Sequence, residues 1–237
     1  MQLRIILLFL IIGPISYSQN DVSGTVTNEI VIKKQIGYAL HVPKKSKEKK
    51  PLLVFIPGDG EKGVDIERVK IHGPFKYLKT HDLDAYVLAP QCPENEKWDS
   101  EIIYQLIVKI QKENTIDENR IYLTGLSSGG WATWNLAMLH PELFSALVPI
   151  SSFVDLIEMD AICKVKMIPT RIFHGLVDDV VKVENAIAVY KELKACNANV
   201  QLTIFDDSGH DSWSRVYDNK EIYDWMLQQK KKKDETN

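Results

Sequence analysis

Short apolar runs alternate with longer amphipathic stretches along most of the chain. Ile36–Val42 and Leu52–Ile56 have the length and composition of neighbouring strands joined by a Lys-rich loop, and Ala85–Ala89 predicts a third strand closed by Pro90. Between Ser100 and Glu113 the apolar residues fall at Ile102, Ile103, Leu106, Ile107 and Ile110, the three-and-four spacing of a helix with one face on a core. Ile121–Thr124 predicts another short strand, and Gly129–Leu139 a helix ended by Pro141. Leu147–Ile150 and Thr170–Phe173 repeat the strand signal, Val183–Leu193 is helical, Val200–Phe205 is the last strand, and Ile222–Gln229 is a closing helix. This alternation predicts an α/β fold: a single domain, mostly parallel sheet with helices on both faces, and a ligand site at the carboxyl ends of the strands.

Composition narrows the classes. With 45% hydrophobic and 26% charged residues and a net charge of −3, the chain is neither disordered nor a polyelectrolyte. The slight acidity gives no footprint for nucleic acid, and the Lys clusters at 44–50 and 230–233 read as a solvated loop and tail. Residues 1–18 combine Arg4, an apolar run from Ile5 to Ile12, the breakers Gly13 and Pro14, and small Ser16 and Ser18. That grammar is a secretory signal peptide, too short to anchor stably in a membrane. The expected organisation is therefore a signal peptide at 1–18 and one domain over 19–237, secreted or periplasmic. The cysteines Cys92, Cys163 and Cys196 show no metal-ligand spacing; one bridge is compatible with export, but its pairing is not assignable from sequence. Neither a metal nor a cofactor is called for.

The sharpest chemical signal is Gly125-Leu126-Ser127-Ser128-Gly129, directly after a strand and directly before a helix, the context of a nucleophile elbow. Small residues two positions either side of Ser127 let strand and helix pass almost in contact, and the hydroxyl comes to the positive end of the helix. A serine needs a base to take its proton and a carboxylate to orient that base. Of the downstream histidines, His140 ends a helix before Pro141 and reads as a surface residue, and His174 precedes the acid. His210 lies in the loop after the last strand, where the base belongs. Asp178 is the expected acid, with Asp179 as the alternative; Asp207 reads as a turn residue. For the oxyanion of the tetrahedral intermediate, the Ser128 amide and the Asp59 amide, in the Gly-rich segment Pro57–Gly63, are the candidate donors.

On these motifs the segment from about Gly37 to Trp225 resembles a compact α/β hydrolase without a large lid, of the branch holding carboxylesterases, dienelactone hydrolases, feruloyl and acetylxylan esterase-like proteins, and some proteins classed as peptidases. The matching segments are PLLVFIPGDGEKG, YVLAPQCPENEKW, NRIYLTGLSSGGWATWNLAMLHPELF, RIFHGLVDDVVKVENA and FDDSGHDSW. The resemblance implies Ser127, Asp178 and His210 as a triad, with the Asp59 and Ser128 amides as the oxyanion hole. Three positions depart from it. Pro57 stands where relatives usually have His, Asp59 where a small or apolar residue is common, and Ser128 where Met or another bulky residue is common. A carboxylate aimed at an oxyanion opposes it, so the Asp59 side chain is expected to point away.

Trp98, Trp131 and Trp213 fall in segments expected near the sheet edge, where aromatic faces stack on sugar rings or phenolic acyl groups or pack the supporting loops. The expected substrate is a small-molecule or polysaccharide-linked ester hydrolysed through an acyl-enzyme. A serine peptidase of the same fold and a non-catalytic carbohydrate-binding relative are the alternatives, separable by small esters against peptides.

Overall fold

The computed structural model describes residues 34–44 and 48–231; the signal peptide expected at residues 1–18 lies outside them. Alternate side chains of a strand face opposite ways. In Lys50–Ile56 this sends Leu52, Val54 and Ile56 into one apolar cluster and Leu53 and Phe55 into another. All five are at most 2% exposed, and burying each stabilises the fold by roughly 2 kcal/mol. The unbroken apolar run is thus that of a strand covered on both faces.

The sheet has seven strands: β1 (Gly37–His41), β2 (Lys50–Ile56), β3 (Tyr86–Gln91), β4 (Ile116–Leu126), β5 (Ala146–Ile150), β6 (Thr170–Gly175) and β7 (Val200–Phe205). Their spatial order is β1-β3-β2-β4-β5-β6-β7. β1 pairs antiparallel with β3, and the remaining pairs are parallel. The helices are α1 (Gly73–Tyr77), α2 (Ser100–Glu113), α3 (Ser128–Leu139), α4 (Val183–Ala195), α5 (Trp213–Tyr217) and α6 (Lys220–Gln228). Ile103 and Ile107 of α2, Trp134 and Leu136 of α3, and Val189 and Leu193 of α4 pack in the first cluster. Tyr77 of α1, Tyr217 of α5, and Ile222 and Met226 of α6 pack in the second. Helices therefore cover both faces, as the alternation predicts. The start of α2 is fixed by Asp99, whose carboxylate accepts from the Glu101 and Ile102 amides at 3.0 and 3.3 Å.

Two boundaries differ from expectation for physical reasons. β3 does not close at Pro90 but runs to Gln91. At Pro90 the parallel pairing with β2 has already ended at Val54↔Leu88, and only β1 remains alongside. A residue without an N–H is tolerated where only one side carries a ladder. β4 begins at Ile116, five residues early, because Asp117–Arg120 is a polar stretch across a register irregularity opposite Lys50 and Leu52. As expected, between β5 and β6 the chain forms only a 3₁₀ segment, Leu156–Val165, with no helical lid.

From β2 the chain steps outward to β3, then returns to the other side of β2 for β4. The carboxyl ends of β2 and β4 therefore flank the point where the winding reverses, the place where such sheets open a crevice. Ser127 follows β4 and Asp59 follows β2.

Cys163 and Cys196 form a disulfide joining the Leu156–Val165 segment to the end of α4, and Cys92 is free and buried. Replacing both bonded cysteines by serine is expected to cost about 3 kcal/mol, given the 33-residue separation. Thermal melting without reductant should fall by roughly 6–12 °C; an unchanged melting temperature contradicts a stabilising bridge.

Candidate active site

Ser127 has φ 53° and ψ −123°, a conformation that costs a non-glycine residue about 1–3 kcal/mol. The surrounding backbone imposes it. A Cβ on Gly129 would lie 2.1 Å from the Ile56 carbonyl oxygen and 2.2 Å from that of Pro57, so α3 enters directly beneath the end of β2. The Ser127 amide donates to the Ile150 carbonyl at 3.0 Å, and its carbonyl accepts from the Trp131 amide at 3.1 Å. Both ends of the turn are held, and the hydroxyl projects from it.

That hydroxyl lies 2.9 Å from His210 Nε2. The other ring nitrogen, Nδ1, lies 2.8 Å from Asp178 Oδ2. A carboxylate only accepts, so Nδ1 carries the proton and Nε2 is left free to accept from Ser127. The Asp178 side chain is fully buried, and its other oxygen, Oδ1, accepts from the Val180 and Val181 amides at 2.9 Å each. Asp179 is exposed, so of the two adjacent carboxylates it is Asp178 that meets the imidazole. Asp207 pairs with Arg215 at 2.8 Å instead. His140 stacks on Tyr104, with ring centroids 3.8 Å apart, beside Glu101 and Glu142.

The two loops carrying Asp178 and His210 are joined by backbone contact. A Cβ on Gly175 would lie 2.2 Å from the Gly209 carbonyl oxygen, and the Val177 amide donates to the Ser208 carbonyl at 3.2 Å. Ser151, at φ 45°, donates its hydroxyl to the His210 carbonyl at 2.9 Å and lies 2.8 Å from the Ser212 hydroxyl.

Sequence reasoning passed over His174, which supports the acid. It is fully buried, with Nε2 2.7 Å from the Val181 carbonyl and 3.2 Å from Asp178 Oδ2. Facing two acceptors, Nε2 carries the proton, and burial pushes the imidazole pKa down, favouring this neutral form. Its place four residues before Asp178 was the available signal.

Asp59 and Ser128 each stand first in a helical turn, Asp59 in a 3₁₀ turn over Asp59–Glu61 and Ser128 in α3. Amides at these positions have no acceptor within their own helix. The Asp59 carboxylate accepts from the Ser128 hydroxyl at 2.8 Å and from the Lys62 ammonium at 2.7 Å, both at Oδ1. Partial burial pushes this carboxyl pKa up, but the hydrogen bonds from Lys62 and Ser128 outweigh it and hold it below the ordinary value. The buried Glu61 accepts from the Gly58 amide at 2.8 Å and faces His72 at 3.6 Å. Burial pushes the Glu61 carboxyl up.

The three tryptophans divide. Trp98 and Trp131 line a cavity of ≈ 240 Å³ with Asp59, Lys62, Ser128 and Phe153. They also line a neighbouring cleft of ≈ 710 Å³ with Asn135, Glu158 and Lys164. Trp213 lines neither and sets its ring edge-on to His210, with centroids 5.0 Å apart.

The phospholipase/carboxylesterase family model matches residues 83–221, more than half of the chain, including Ser127, Asp178 and His210. Among solved structures, a thermostable esterase is 33% identical, with a TM-score of 0.72 over 83% of this chain. The chain spans 60% of that esterase's length. Acetyl xylan esterase from Aspergillus awamori is 15% identical with a TM-score of 0.64, over 80% of this chain and 94% of its own. The acylaminoacyl peptidase of Pyrococcus horikoshii is 19% identical with a TM-score of 0.63, over 83% of this chain and 40% of its own. These last two share the fold. By the extent of the family match, the chain belongs to the phospholipase/carboxylesterase family.

Proposed function

We propose that this chain is an exported serine hydrolase that cleaves carboxylic esters through an acyl-enzyme. The observation that carries the reading is the unbroken line of contacts from the Ser127 hydroxyl through His210 to Asp178, at 2.9 and 2.8 Å. In this mechanism Ser127 Oγ adds to the ester carbonyl as its proton passes to His210 Nε2. Asp178 stabilises the imidazolium and keeps the ring oriented. The Asp59 and Ser128 amides donate to the oxyanion, each worth roughly 3 to 4 kcal/mol. As the tetrahedral intermediate collapses, the C–O bond to the alcohol breaks and the alcohol leaves with the His210 proton. Water then adds by the same route, releasing the carboxylic acid and restoring Ser127. The N-terminal signal grammar and the Cys163–Cys196 bridge support export to an oxidising compartment.

For the alcohol part of the substrate we propose a polyhydroxylated, sugar-like group held in the cleft between Trp98 and Trp131. Trp98 and Trp131 line this cleft together with Asn135, Glu158 and Lys164, and indole rings there can stack on the apolar faces of sugar rings while the polar side chains meet hydroxyl groups.

Ser127→Ala should lower hydrolysis of p-nitrophenyl acetate by roughly 10⁴ to 10⁶-fold, while cooperative thermal unfolding is retained; undiminished turnover rules out the triad. Trp131→Ala should raise KM for an acetylated xylo-oligosaccharide about tenfold more than KM for p-nitrophenyl acetate, corresponding to about 1.4 kcal/mol. Equal effects on the two substrates would remove the sugar cleft from the account.

A further inference from the structure

The residue whose amide is assigned to the oxyanion also carries a carboxylate, and an anion beside a developing oxyanion raises the barrier that the amide lowers. The loop contains its own compensation. Lys62 follows Asp59 by three residues in a 3₁₀ turn, closed by the Lys62 amide on the Asp59 carbonyl at 3.3 Å, and residues three apart in such a turn lie over one another. The Lys62 ammonium reaches Asp59 Oδ1 at 2.7 Å, with its side chain 15% exposed against 66% for Asp59. The same oxygen accepts the Ser128 hydroxyl, so one carboxylate ties together the two residues that supply the donor amides.

Of the other charges near the loop, Lys97 and Asp155 line the same cavity as Asp59 and Lys62, Asp155 accepting from the Trp131 indole N–H at 2.8 Å, and two more are held by other partners. Arg68 donates to the Gly60 carbonyl and pairs with Glu94. Glu61 turns inward to the Gly58 amide and His72.

Resting on the serine-hydrolase reading, we propose that Lys62 is a positioning residue of the oxyanion hole. Its ammonium neutralises Asp59 and keeps that carboxylate locked on Ser128, so turnover depends on Lys62 although the reacting atoms do not touch it. The cost of losing it is electrostatic and therefore removable by deleting the opposing charge.

The test uses the uncharged substrate p-nitrophenyl acetate and the full chain. Lys62→Met should lower kcat about tenfold, the size expected of one unit charge several Å away at a dielectric between those of protein and water, with KM changed by less than about twofold. The defect should shrink in roughly 1 M salt, because the exposed carboxylate is then screened. The double variant D59N/K62M should recover most of the rate lost in K62M, and Lys62→Arg should stay near the wild-type kcat. Should K62M not fold, K62Q and D59N/K62Q give the same ratio. A K62M rate equal to wild type, or a double variant as slow as K62M, overturns the proposal. If Ser127→Ala retains full activity, the hydrolase reading fails and takes this inference with it; if Ser127→Ala is inactive while K62M is normal, the Lys62 inference alone fails.

Discussion

The near contact of α3 with the end of β2 is the constraint on which the site depends. With the Gly129 backbone pressed against the carbonyls of Ile56 and Pro57, the chain leaving β4 has one way to enter the helix, through a strained Ser127. The strain persists because the strand on one side and the helix on the other are both deeply packed. β4 contributes Ile121, Tyr122 and Leu123 to the two cores, and α3 contributes Trp134 and Leu136. The same approach brings the loop after β2 against the first turn of α3, so Asp59 and Ser128 become neighbours although 69 residues separate them.

A second backbone contact, between Gly175 and the Gly209 carbonyl, does the equivalent work on the other side of the cleft. It fixes the loop after β6 to the loop after β7. Asp178 then bridges them, with two backbone amides on one oxygen and His210 on the other. Its full burial keeps the carboxylate itself out of solvent, and His174 beneath it supplies one more donor. The order of the imidazole's two nitrogens follows from these acceptors and not from His210 itself.

Much of this was legible in the sequence because apolar runs report burial. The parallel strands β2, β5 and β6 sit within two residues of their apolar segments, since strands covered on both faces need such runs, whereas the edge strand β7 matches its segment although Gln201, Thr203 and Ile204 are exposed. The small residues flanking Ser127 announced the elbow, because contact between strand and helix excludes side chains there. The polar start of β4 and the passage of β3 through Pro90 were not legible, as each depends on which neighbour lies alongside. Asp178 and Asp179 were indistinguishable until the loop's amides selected one. Lys62 read as one charge in a Gly-rich loop; its meaning comes only from the turn that lays it over Asp59. The tryptophans carried no sign of their division, because an indole that lines a cleft and one that braces an imidazole look alike along a chain.

The central claim is that Ser127 is a nucleophile activated by His210. Treating the folded protein with a fluorophosphonate and mapping the adduct by peptide mass spectrometry tests it directly. The account predicts one phosphonylated residue, Ser127, with the modification lost in His210→Ala. A chain that takes up no label, or takes it up on another serine such as Ser128 or Ser151, contradicts it.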